Sequence, residues 1–134
     1  MISKTIVKLV FSWESSLNHD DIMKAVVERL VIYFSFFVNV VFYSIVLKVI
    51  YYGRDVENSS LAHFLLFISV LITFNLSKVY FKKPIAYNVS LLKDDLLKIE
   101  PSRLKRYKLF YIAIGILGVI ALPAYIVVFA VYIL

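Results

Sequence analysis

Cysteine is absent from this 134-residue chain, which excludes disulfides, thiolate metal sites and thiol nucleophiles by inventory. Glycine occurs only at Gly53, Gly115 and Gly118, too few and too scattered for a phosphate-cradling loop, and neither HExxH nor GxSxG is present. The uncharged runs 30–47, 61–77 and 109–134 contain no carboxylate, which argues against a proton or cation relay built round a membrane-embedded acid. The acidic pairs Asp20 with Asp21 and Asp94 with Asp95 lie outside those runs. Adjacent residues on a helix diverge by about 100°, so neither pair offers converging ligands, and helix capping or solvated faces account for both. His19 beside the first pair does not complete a ligand set, and His63 is expected to bond a headgroup or loop. No enzyme activity, metal or cofactor is expected.

What the chain does have is apolar bulk. Hydrophobic residues make up 62% and aromatics 16%, with a mean hydropathy of +0.87, where a soluble domain is about half apolar. With Lys48 and Lys78 snorkelling at their ends, each of the three runs approaches or exceeds the roughly 20 residues that cross a bilayer. The expected fold is an all-α integral membrane protein, a single membrane domain with three transmembrane helices. An amphipathic helix covers 1–17, a helix over 21–52 contains the first span, and the second span covers 61–81. A basic cytoplasmic loop follows over 82–108, and a helix over 102–134 contains the third span. Asn18 or Asp20 is expected to cap the helix that starts at Asp21. Within the loop, Pro84 is expected to end the second helix, Ser90 to cap a short helix "LLKDDLLKIE", Pro101 to stop it, and Ser102 to start the last helix.

Charge sets the orientation. The segment "GRDVENSS" between spans one and two carries one cation and two carboxylates, whereas 82–108 carries eight cations and three carboxylates. Short basic loops stay in the cytoplasm, so the N-terminus is predicted inside and Leu134 outside. The first long run is expected to act as an uncleaved signal anchor, because Lys4, Lys8 and Glu14 interrupt any signal-peptide core. Lys82, Lys83, Arg103, Lys105, Arg106 and Lys108 are placed at the membrane surface, facing an anionic inner leaflet. Trp13 joins them there, on an apolar face with Ile2, Ile6, Leu9, Val10 and Leu17, opposite Lys4, Lys8, Ser12 and Ser15. The partner of that face is either lipid or the protein's own cytoplasmic part. The positive excess reads as orientation, not nucleic-acid binding. Richness in Ile, Tyr, Phe, Lys and Ser would suit a bacterial source, and so an inner membrane.

Within the spans, polar and small residues recur at helical spacing. Ser35, Asn39 and Tyr43 share one face of the first span, and Ser69, Thr73 and Ser77 share one face of the second. Gly115 and Gly118 lie together in the third, which also contains Pro123. Such residues permit close helix approach and interhelical hydrogen bonds, so they form the candidate interface. They either pack the three spans together or face a partner. The expected function is helix-mediated binding to another membrane protein, as an immunity or exclusion protein against a pore-forming toxin or as an accessory subunit of a membrane complex. In span count and topology the chain resembles some pore-forming bacteriocin immunity proteins. The alternative is a self-associating pore or membrane-disrupting effector of holin-like kind, with one hydroxyl stripe facing a lumen.

Overall fold

The computed structural model describes residues 3–17, 20–51 and 60–132. Four helices account for nearly all of them: α1 (Lys4–Ser15), α2 (Ile22–Tyr51), α3 (Ser60–Leu97) and α4 (Pro101–Tyr132). The expectations for Ile2, Asn18, His19, Leu134 and the segment 53–59 lie outside the described residues, as do those for the side chain of His63.

α1 begins where Ser3, in an extended conformation, accepts a hydrogen bond from the Thr5 N–H at 3.3 Å. Its buried face is Val7, Val10, Phe11, Ser12 and Glu14. That corrects the expected face, because Ile6 and Leu17 are 41% and 38% exposed. The helix is turned so that the i, i+3, i+4 set Val7, Val10 and Phe11 meets protein, and it lies against α4, α2 and α3. Burying Glu14 is possible in this rotation because Arg29 of α2 reaches it.

α2 is capped by Asp21, whose carboxylate accepts from the Lys24 N–H at 3.1 Å, so the cap falls one residue after Asp20. Val26, Leu30 and Val31 of its first turns are buried with the α1 face and with Ile85, Val89 and Leu96 of α3. This cluster is the core, and it sits at the basic end of the bundle, reaching only the start of the first apolar run.

α3 shows the largest departure from the sequence expectation. Its 38 residues run straight through Pro84, with no break and no separate short helix. Proline removes one backbone donor and crowds one carbonyl, at a cost of about 3 kcal/mol, and the burial of Ile85, Val89 and Leu96 beyond it offsets that cost. Ser90 does not cap anything; its hydroxyl donates to the Tyr87 carbonyl at 2.6 Å within the helix. The second helix therefore projects past the apolar run as a basic extension, and α1 docks on that extension.

A three-residue connection leads to α4. Pro101 is its first residue, and the Leu104 N–H donates to the Glu100 carbonyl at 3.0 Å. Proline suits the first helical position because its missing N–H would find no intrahelical acceptor there, so the helix starts one residue before the expected Ser102.

α2, α3 and α4 are each long and apolar enough to cross a membrane. At about 1.5 Å per residue their 30, 38 and 32 residues exceed the roughly 30 Å hydrocarbon core. The accessible surface is 10144 Å², against about 7,200 Å² for a compact soluble protein of this mass. The excess is apolar: Phe36, Phe37, Phe42, Phe64, Phe67, Leu76 and the outer turns of α4 are all more than half exposed or close to it. Such a surface is stable in hydrocarbon and costly in water.

Candidate functional site

A polar seam joins α2 to α3. Asn39, 7% exposed, donates its amide to the Ser35 carbonyl at 2.7 Å and to the Ser77 hydroxyl at 3.4 Å. Its amide oxygen accepts from the Thr73 hydroxyl at 2.8 Å. One turn away, the Tyr43 hydroxyl donates to Ser69 at 2.9 Å and lies 3.2 Å from Thr73. Ser69 and Ser77 direct their single protons to the Leu66 and Thr73 carbonyls, so each hydroxyl donates once and accepts across the seam. The two stripes Ser35, Asn39, Tyr43 and Ser69, Thr73, Ser77 are thus brought together and used on each other. The Ser35 hydroxyl, fully buried, has no hydrogen-bond partner among the described residues.

A second layer ties three helices at the basic end of the apolar region. Glu14 of α1 is 1% exposed and accepts from the Arg29 guanidinium of α2 at 2.8 Å. One turn along α2, the Tyr33 hydroxyl bonds that of Tyr111 on α4. Tyr111 in turn stacks on Trp13 of α1, with ring centroids 5.4 Å apart and planes 25° from parallel. Lys108 places its ammonium 5.8 Å above the Trp13 ring, within cation–π range. Neither Glu14 nor Arg29 stands out in the sequence. The signal was there in one form: Glu14 falls four residues after Val10 and three after Phe11, inside an apolar stripe.

Gly115 and Gly118 are not brought to either partner stripe. A Cβ added at either would meet nothing within 4 Å, and every residue from 112 to 128 is exposed. Among the described residues, no Cα of α4 comes within 8 Å of one in α2 or α3. Two hydroxyl bridges span the gap instead, Tyr33 to Tyr111 and Ser44 to Tyr125, the latter at 2.6 Å. Between these tyrosines α4 runs for about 21 Å, and both glycines lie in that stretch.

The basic residues divide among surfaces. Lys82 and Lys83 are exposed on α3, with Lys82 beside Lys78 and Glu28 in one groove. Arg103, Lys105 and Arg106 are exposed on the first turns of α4, and Lys108 is half-buried against Trp13. Asp95 joins Arg103 in a cleft with Lys4 and Lys8. Comparison with family models, curated proteins and solved structures finds no match for this chain.

Proposed function

We propose that this chain is a non-enzymatic membrane protein that acts by helix-mediated binding to another membrane-inserted protein, and that α4 supplies the binding face. The observation that carries this reading is the open space at Gly115 and Gly118 on a helix exposed from 112 to 128. In a bilayer, apolar exposure alone is unremarkable, because lipid tails solvate Leu and Ile as well as a neighbouring helix does. Association there depends on close backbone approach, which small residues permit. The two glycines lie on the one long helix whose backbone stands apart from α2 and α3, so a foreign helix gains most by packing there.

The hairpin of α2 and α3 fits the role of scaffold. Asn39, Tyr43, Ser69, Thr73 and Ser77 are engaged with each other across its seam, and the docked α1 anchors the start of α4 beside it. The immunity or exclusion version suits a target that is itself inserted in the membrane, and the accessory-subunit version suits a permanent partner. Orientation follows the charge bias of the loops, with the basic end cytoplasmic in a bacterial inner membrane. The pore alternative loses support, because the hydroxyl stripes that would line a lumen hydrogen-bond across the α2–α3 seam.

A photo-crosslinking amino acid placed at Leu122, one turn past Gly118 and exposed on α4, and separately at Phe67 on the exposed face of α3, tests the reading in native membranes. The expected result is an adduct to a second membrane protein from position 122 only, abolished by Gly115→Leu. An adduct of twice the chain's mass would favour self-association. Adducts from Phe67 alone would sink α4 as the binding face.

A further inference from the structure

The basic end of the bundle holds a polar cleft that partner binding through α4 does not use. α1 contributes Lys4 and Lys8, the α3–α4 connection contributes Lys98, and α4 contributes Arg103 and Tyr107. Two carboxylates, Asp95 and Glu100, belong to the same lining. Among the described residues, none of the four cations forms an ion pair with either. A second hollow shares Arg103 and Tyr107 with the first and adds Arg106 and Phe110. Five cations from three segments therefore surround two adjoining hollows, and Phe110, 63% exposed, leads from them onto the apolar surface of α4.

Three features bear on what such a cleft takes. Cations gathered without contact partners repel one another, so an anion that bridges them is favoured. Trp13 and Tyr107 mark the depth of an aromatic belt, where phosphates of lipid headgroups lie. Arg presents a planar fork that grips phosphate through two parallel hydrogen bonds, and Arg103 stands where the two hollows meet. Basic pockets between spanning helices on the cytoplasmic side bind polyanionic headgroups for these reasons.

We propose that this cleft between α1, the α3–α4 connection and α4 binds the headgroup of a phospholipid that carries two phosphates, with Arg103 shared between them and an acyl chain leaving past Phe110. The inference rests on the reading of α2, α3 and α4 as membrane spans and is independent of any partner at Gly115 and Gly118.

Native mass spectrometry of the full chain in mild detergent, with cardiolipin, phosphatidylglycerol or phosphatidylcholine added, reads the site directly. Cardiolipin is expected to be retained about tenfold more tightly than phosphatidylglycerol, and phosphatidylcholine not at all. Arg103→Gln and Lys98→Gln should each weaken retention about fivefold, the effect of one cation at an anionic surface. Lys82→Gln and Lys83→Gln, which line neither hollow, should leave it unchanged. Equal retention of the two anionic lipids, or an equal loss in the Lys82 and Lys83 variants, overturns the site. Displacement of cardiolipin by millimolar inorganic phosphate would instead mark a free-anion site and overturn the lipid assignment. If the Arg103 variant fails to fold, energy transfer from Trp13, the only tryptophan, to acyl-labelled cardiolipin in the unaltered chain decides. Transfer no greater than to labelled phosphatidylglycerol sinks the proposal. A chain that stays in solution without detergent would overturn the membrane reading itself, and sedimentation reads that separately.

Discussion

Thr73 of α3 donates its hydroxyl to the amide oxygen of Asn39 on α2 across 2.8 Å, so the donor and the acceptor of the Asn39 amide both reach α3. Asn75, on the same helix as Thr73, has the same kind of amide, yet it is exposed and among the described residues bonds only the Leu71 carbonyl of its own helix. The pair is a natural control. Asn39→Leu is expected to destabilise the α2–α3 hairpin by about 0.6–2 kcal/mol, the range of interhelical hydrogen bonds in membranes. Asn75→Leu should fall within about 0.5 kcal/mol of the unaltered chain. Reversible unfolding in mixed micelles measures both, and equal effects would mean that the seam contributes nothing.

This seam is the part of the candidate site that was legible in the sequence. Residues four apart share a helix face, so Ser35, Asn39 and Tyr43, and likewise Ser69, Thr73 and Ser77, declare a stripe without any structure. Whether two stripes meet each other depends on how the hairpin closes, which no single-helix pattern contains. The same limit explains Glu14 and Arg29. They are separated by 15 positions and meet only because α1 folds back on the bundle, turned away from the face that its apolar periodicity favoured. Pro84 misled for a different reason. A local rule that ends helices at proline was overridden by packing further along, at Ile85, Val89 and Leu96.

The Glu14 to Arg29 pair should hold α1 in place. With Glu14 buried and Arg29 partly exposed, removing the guanidinium takes the cationic partner from a buried carboxylate, which is the costly half of breaking such a pair. A double-mutant cycle on Glu14→Gln and Arg29→Gln is expected to give a coupling of about 1–2 kcal/mol. Trp13 emission serves as the readout, because release of α1 separates Trp13 from Tyr111 and moves it toward water. A coupling near zero, with emission unchanged in Arg29→Gln, would show that apolar contacts alone dock the helix.

Orientation has a direct test because the chain contains no cysteine, so a single introduced thiol is unambiguous. Lys93→Cys on the basic extension of α3 should react with an impermeant maleimide only after permeabilisation. Glu57→Cys, in the acidic connection between the first two spans, should react in intact cells. The reverse pattern would invert the topology that the positive-inside bias predicts.

The glycines of α4 make the sharpest separation between fold and function. Glycine inside a helix costs about 0.5–1 kcal/mol relative to alanine, and at Gly115 and Gly118 an added methyl meets nothing in this chain. Gly115→Ala and Gly118→Ala should therefore each stabilise the isolated protein slightly, by up to about 1 kcal/mol, in the same micellar unfolding assay. Leucine at either site should also be tolerated by the isolated chain, since the space is open. If the glycines serve to admit a partner's backbone, those same stabilised variants should lose the cross-link from α4 in native membranes. A gain in stability joined to a loss of binding is the signature expected of residues kept for a contact outside the chain. Loss of stability in the alanine variants would place the glycines in the protein's own packing and remove α4 from consideration as the binding face.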